Sequence, residues 1–235
     1  MSEQRQAIVV GVGAEAGLGA ALCKRFAREG LHVLVAGRTS ERLDSVVAAI
    51  KRSGGTASAV VADTTREDDV VRLFEGACGQ LDLVVFNAGN NQWADLLEME
   101  ASFFEEMWRV ACFGGFLVGR EAARRMVGQG DGTILFTGAS GSLRGKPPFT
   151  AFASAKAGLR AVAQAMARDL GPKGIHVGHI VIDGGIKGDK ILARFPQYAE
   201  MKGEDGMLEI DAIADAYWFM HTQHRTAWTH ELDLR

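Results

Sequence analysis

Between an apolar run ending at Val10 and an amphipathic run lies Gly11-Val12-Gly13-Ala14-Glu15-Ala16-Gly17-Leu18-Gly19. Glycines at these places let the chain turn tightly, let the backbone approach a pyrophosphate, and let the next helix pack close. The helix start adds unpaired N–H groups and a positive dipole end. Phosphate binding is the chemistry this favours. A purely steric turn would carry similar letters, so position gives the run its weight: first strand, first turn, then a second strand at the proper remove. That second strand ends in Ala36-Gly37-Arg38, where a carboxylate would ordinarily hold the ribose 2′-hydroxyl of NAD. A guanidinium there meets a 2′-phosphate through forked, charge-assisted hydrogen bonds, so Gly13, Gly17, Leu18, Gly19 and Arg38 predict NADP(H), with NAD(H) open as the second choice. The competing reading of Arg38 is a solvated loop cation. Asp63, closing the third strand, is expected to accept from the adenine amino group, or else to form an Asx turn or helix cap.

Such residues need a scaffold, and the apolar pattern supplies one. Short apolar runs at 7–10, 32–36, 58–62, 83–87, 133–137 and 175–182 alternate with longer amphipathic stretches. That alternation predicts an α/β fold: one Rossmann-type domain over residues 1–235, its doubly wound parallel sheet covered by helices on both faces. Leu18, Leu22 and Phe26 recur every four residues before Glu29-Gly30 stops the first helix, and Thr150 is expected to cap a later one that ends at Gly171-Pro172. Helices over 103–127 and 150–170 have faces too apolar for a monomer's surface, which predicts a packed oligomer. Residues 186–207 mix charge with Ile191, Leu192, Phe195 and Tyr198 and read as a flap, either a substrate lid or a surface excursion. The tail, 227–235, reads as a final strand.

Composition narrows the function classes. A net charge of −3 with scattered Lys and Arg gives no basic stripe, so nucleic acid is not an expected partner. No stretch approaches the roughly 18 apolar residues of a membrane span, and the polar start MSEQRQ runs straight into a strand. A soluble cytoplasmic protein without a membrane partner is the expectation. Cys23, Cys78 and Cys112 are odd in number and set in apolar sequence, as reduced core thiols would be.

Gly13, Gly17 and Gly19, then Asp63, then Asn87-Ala88-Gly89 resemble the motifs of the short-chain dehydrogenase/reductase family, over nearly the whole chain. The resemblance implies a seven-stranded parallel sheet, a bound NAD(P), hydride transfer at its nicotinamide, and a homodimer or homotetramer packed through the two long helices. It gives Asn87, Ala88 and Gly89 a place beside the cofactor, and Gly185 and Ile186 a place after the sixth strand. The family's catalytic set is an Asn, a Ser, a Tyr and a Lys, with Tyr four residues before Lys. A carbonyl that gains hydride must also gain a proton, and a phenol beside an ammonium supplies it. Here the matched Lys is Lys156, the residue four before it is Phe152, the Ser position is Ala139 with Ser140 next door, and the Asn position is Ala111. The chain is similar to a divergent subgroup with Phe for Tyr. Asp183-Gly184-Gly185-Ile186 stands where the family shows Pro-Gly, and Asp189 where it shows a Thr that touches phosphate.

Two functions follow as expectations. The first is an NADPH-dependent oxidoreductase with a rearranged acid acting on a carbonyl or activated alkene. Lys156 and Ser140 lead its candidate proton donors, followed by Ser142, Tyr198 and water. The second is an inactive NADP(H)-binding protein, a sensor or oligomer partner, in which Lys156 only holds ribose. Metal chemistry at His221, His224, His230 and Glu231 is disfavoured, because His-x-x-His alone is poor ligand spacing. His176 and His179 are taken to share one strand face as packing residues.

Overall fold

The computed structural model describes residues 4–89, 91–188, 196–203 and 205–235. Strands β1 (Arg5–Val10), β2 (His32–Gly37), β3 (Thr56–Val61), β4 (Gln80–Phe86), β5 (Gly132–Thr137), β6 (Ile175–Ile182) and, numbered in chain order, β9 (Glu231–Leu234) form one sheet. Its order is β3-β2-β1-β4-β5-β6-β9, with every neighbouring pair parallel. The central strands are apolar without alternation because both faces are covered: Ala7 to Val10 are all buried. On one face lie α1 (Leu18–Arg28), α2 (Ser40–Arg52) and α9 (Ile210–His221), with Leu22, Phe26, Val46, Ile213 and Met220 in the core. On the other, α3 (Glu67–Glu75), α5 (Gly114–Gln129) and α7 (Thr150–Leu170) contribute Leu73, Leu117, Val118, Leu159 and Ala163.

Strand order reverses between β1 and β4, and that crevice is where open α/β sheets take ligands. Main-chain bonds close it at the carboxyl ends: Gly11 and Val12 N–H both donate to Ala36 O at 3.0 Å, and Asn87 N–H donates to Val10 O at 2.9 Å.

Several expectations need correction. The helix expected over 103–127 is three segments, α4 (Ala101–Trp108), a π turn (Arg109–Phe113) and α5, and the wide turn holds Ala111. Thr150 does not cap α7; Phe149 occupies the cap and Thr150 is already in the first turn. Cys78 is exposed, because it follows α3 in a surface turn, whereas Cys23 and Cys112 are buried. The start of the 186–207 flap forms a strand, β7 (Ile186–Lys187), paired with β8 (Leu208–Glu209), and α8 (Pro196–Lys202) lies between them. Asp189, Ile191, Leu192 and Phe195, and the Tyr198 side chain, lie outside the described residues. The remaining short helix, α6 (Ser140–Leu143), follows β5. Phe104, Trp108, Phe116 and Val127 form an exposed apolar row along α4 and α5. Among the described residues no helix is long and apolar enough to cross a membrane.

Candidate active site

The glycine loop divides into positions that serve packing and one that does not. Gly11 has φ +84°, and a Cβ there would lie 2.4 Å from Ala88 N; a Cβ on Gly37 would lie 2.5 Å from Val12 O. These glycines let three loops meet backbone to backbone. A Cβ on Gly19 would lie 3.0 Å from Val12 Cα and 3.2 Å from Asn87 Nδ2, so this glycine seats α1 against the loop. Gly17 N–H donates to Ala14 O at 2.9 Å, and Leu18, buried, opens α1 with no side chain capping its first N–H groups. Gly13 differs: a Cβ there would meet nothing within 4 Å. Its bare backbone faces open space beside the uncapped start of α1, a concavity that suits a diphosphate.

Around this cradle, Asn87 Nδ2 donates to Gly11 O at 3.3 Å and ties β4 to the loop. Arg38 is exposed between β2 and α2. The Glu15 carboxylate accepts from Ser45 Oγ at 2.7 Å and lies near Lys24 and Arg52; the Ser45 bond, then the Lys24 charge, hold it below the usual carboxylate range. Asp63 Oδ1 accepts from Thr65 N at 2.9 Å and Thr65 Oγ1 at 2.8 Å, the Asx turn rather than a carboxylate with both oxygens open. A hollow of about 260 Å³ flanks the loop, lined by Glu15, Gly17, Lys24, Gly188 and Ile210.

At the carboxyl ends of β4 and β5 stand the groups with catalytic potential. Lys156, on α7, is buried and donates to Thr137 O at 2.8 Å. Burial disfavours its charge and lowers its pKa to about 8. A Cβ on Gly89 would lie 3.2 Å from Lys156 Nζ, so the ammonium borders the crevice at a bare backbone position. Phe152 sits one turn earlier on α7, half-buried, and Ala111 is buried in the π turn. Ser142 is buried, and its Oγ accepts from Ala139 N at 3.1 Å, which commits it to the turn. Ser140 directs its hydroxyl to Asp183, and Arg144 clamps the same carboxylate at 2.7 and 2.8 Å; the Arg144 and Ser140 hydrogen bonds hold Asp183 well below its ordinary range. Gly185 is buried, and its carbonyl accepts from Leu208 N at 2.8 Å, which fixes Ile186 in β7.

Sequence reasoning missed two buried polar groups. Tyr217, on α9, places its hydroxyl 2.6 Å from Thr137 Oγ1; burial pushes its phenol pKa up, and no solvent reaches it. His179, on β6, sets Nδ1 2.9 Å from Glu231 Oε2, and Arg160 holds Glu231 through bonds of 2.6 and 2.7 Å. His176 and His179 do not share a face: three residues apart on a strand, they point to opposite sides. His176 bonds Thr229 O at 2.9 Å and stacks on Trp228. Their pairing with distant segments leaves no mark in local sequence. The C-terminal histidines also go to separate partners: His221 to Thr133 Oγ1, His224 to Thr226 and His230 to Val177 O. Among the described residues no three His, Cys, Asp or Glu side chains gather as a metal would need.

The site therefore joins open backbone at Gly13 to a buried amine whose pKa is lowered to about 8, with Phe152 one turn away on α7. A model of the family described as short chain dehydrogenase matches residues 6–190. Tetrahydroxynaphthalene reductase of Pyricularia oryzae is 30% identical over 220 residues, covering 92% of this chain and 76% of that protein. Elsinochrome reductase 1 of Elsinoe fawcettii is 33% identical over 196 residues, covering 82% and 72%. A solved short-chain dehydrogenase from Rhodopseudomonas palustris superposes with a TM-score of 0.84 at 39% identity, covering 98% of both chains.

Proposed function

The chain belongs to the short-chain dehydrogenase family, and from that premise we propose that it is an NADP(H)-dependent reductase in which Lys156, not a phenol, supplies the proton. The observation that carries this reading is the buried Lys156 ammonium at the crevice, one turn from Phe152, with a pKa near 8. A group of that pKa is charged at neutral pH and gives its proton far more readily than an exposed lysine. Ser140 remains a candidate to hold the substrate oxygen, although its hydroxyl is already engaged with Asp183.

The residues around the crevice suit a dinucleotide. Gly13 and the start of α1 would receive the diphosphate, Arg38 the 2′-phosphate, and Lys156 with Gly89 the ribose next to the nicotinamide. When bound, the cofactor supplies the hydride. The protein positions the substrate carbonyl, keeps water from it with Phe152, and gives up one proton from Lys156 Nζ. A substrate whose product takes up a proton easily, such as an activated alkene, needs the absent phenol least.

Two relatives are named as reductases of tetrahydroxynaphthalene and elsinochrome, so hydroxynaphthalene-like ketones belong in the first substrate panel. The expected result is NADPH oxidation above background with at least one enone or ketone. Lys156→Met should lower turnover by about 100-fold or more, the scale of a lost general acid. A second reading, a cofactor-binding protein without turnover, is favoured by Phe152 itself. Phe152→Tyr with Ala139→Ser separates the two. A panel silent in the parent chain but active in the double variant would establish the inactive reading; activity in the parent that Lys156→Met abolishes would establish the first.

A further inference from the structure

Lys156 brings three N–H donors into a buried layer, where Thr137 O is its hydrogen-bond acceptor among the described residues. An ammonium so placed costs free energy unless other acceptors approach it. Four buried side-chain atoms lack a hydrogen-bond partner among the described residues, on Asp82, His176, His179 and His230. One of them, His179 Nε2, lies against the same turn: a Cβ on Gly138, the residue after Thr137, would sit 2.4 Å from it. A surplus donor and an unused acceptor thus flank one stretch of backbone, 137–139.

The imidazole is fixed in the form that makes it an acceptor there. Glu231 accepts from Nδ1–H at 2.9 Å, which leaves the lone pair on Nε2. Arg160, one turn beyond Lys156 on α7, pins that carboxylate with two bonds. The charged groups that face His179 are Lys156 and Arg160 from α7 and Glu231 from β9, while the uncharged Phe136 of β5 pairs with it and Gly138, just after β5, lies against its ring. Burial, with the Lys156 and Arg160 charges added, outweighs Glu231 and lowers the imidazole pKa to about 4, so the ring is neutral at physiological pH.

We propose that His179, oriented by Glu231, is a positioning residue that keeps Lys156 in its charged form, its Nε2 lone pair acting on the ammonium through the local field across the 137–139 turn rather than through a hydrogen bond. This rests on the reading of Lys156 as the proton donor but concerns the amine itself, so the test does not depend on turnover or cofactor. The 13Cε resonance of Lys156, identified by its absence in Lys156→Arg, is titrated from pH 6 to 11 in the full chain. In His179→Ala the midpoint should fall by about one unit, a tenfold change in the amine-to-ammonium ratio. His179→Gln, which restores a side-chain acceptor, should bring the midpoint back toward the parent value, and Glu231→Gln, which frees the ring to turn, should lower it.

A merely structural histidine would lower Tm in these variants without moving the midpoint. Folded His179→Ala with the parent midpoint overturns the proposal; should that variant not fold, an unmoved midpoint in Glu231→Gln does the same. A shifted midpoint in a protein that turns over no substrate would retain this inference and reject Lys156 as an acid in catalysis.

Discussion

The two halves of the sheet treat function differently. Around β1, β2 and the glycine loop, recognition is written in backbone: Gly11, Gly13, Gly19 and Gly37 each act by lacking a side chain. Around β4 to β6 and α7 the polar groups are side chains, Lys156, Ser140 and Ser142, set beside the apolar Phe152, Ala139 and Ala111. A backbone device cannot be altered piecemeal without breaking packing, as the 2.4 Å approach of a Gly11 Cβ to Ala88 N shows. A side-chain device can lose its hydroxyls while volume is retained, since Phe fills the space of Tyr. Backbone geometry is therefore harder to vary than side-chain chemistry.

The contrast can be broken first at the loop itself. Gly11→Ala combines positive φ with a clash against main chain and should cost several kcal/mol, in the range of severe backbone strain and overpacking, or prevent folding. Gly13→Ala should leave the unfolding free energy within about 0.5 kcal/mol of the parent, since its Cβ meets nothing, yet abolish measurable NADPH binding by calorimetry. Equal Tm losses in both variants would erase the distinction between packing glycines and the ligand-facing one.

Acid should act next, and on the other half. His179 and His221 are buried with pKa values lowered to about 4 by desolvation, whereas the unfolded chain titrates near 6.5. A depressed folded pKa gives stability that is complete above the unfolded pKa and is lost as pH falls through the folded one, here from about 6.5 to 4, roughly 3 kcal/mol for His179. Hydrogen exchange should show β5, β6 and β9 losing protection between pH 7 and 5 before β1 and β2 do. Uniform loss across the sheet would count against histidine protonation as the cause.

The smallest effect sharpens the nucleotide half. Arg38→Ala should weaken NADPH by about 10- to 100-fold, the scale of charge-assisted hydrogen bonds to a phosphate, and leave NADH nearly unchanged. Parallel weakening of both cofactors would make Arg38 a general surface cation.

Most of the nucleotide half was legible in sequence, because glycines at a strand-to-helix turn and continuous apolar strands are local signals. Ser142, by contrast, reads in sequence either as a proton donor or as a residue that stabilises its glycine-rich turn, and only the fold turns it onto Ala139 N. His179, Glu231, Arg160, Tyr217 and Thr137 lie far apart along the chain and meet only once β9 and α9 have packed, so their partnership has no spacing to read. The π turn escaped for a different reason: Val110, Ala111, Cys112 and Phe113 continue the apolar character of the flanking helices, and nothing in their types marks a wider turn. Cys78 misled because apolar neighbours in sequence, Ala77 and Leu81, turn inward while the thiol does not.

The closeness of His179 to Gly138 constrains the chain's future as well as its present. Any residue larger than glycine at 138 must displace an imidazole that Glu231 and Arg160 hold in place, so a polar group can return to this turn at 139 but not at 138. Mutational paths that place a side chain at 138 thus have an order: the histidine must leave first, and with it the group that we assign to the care of Lys156.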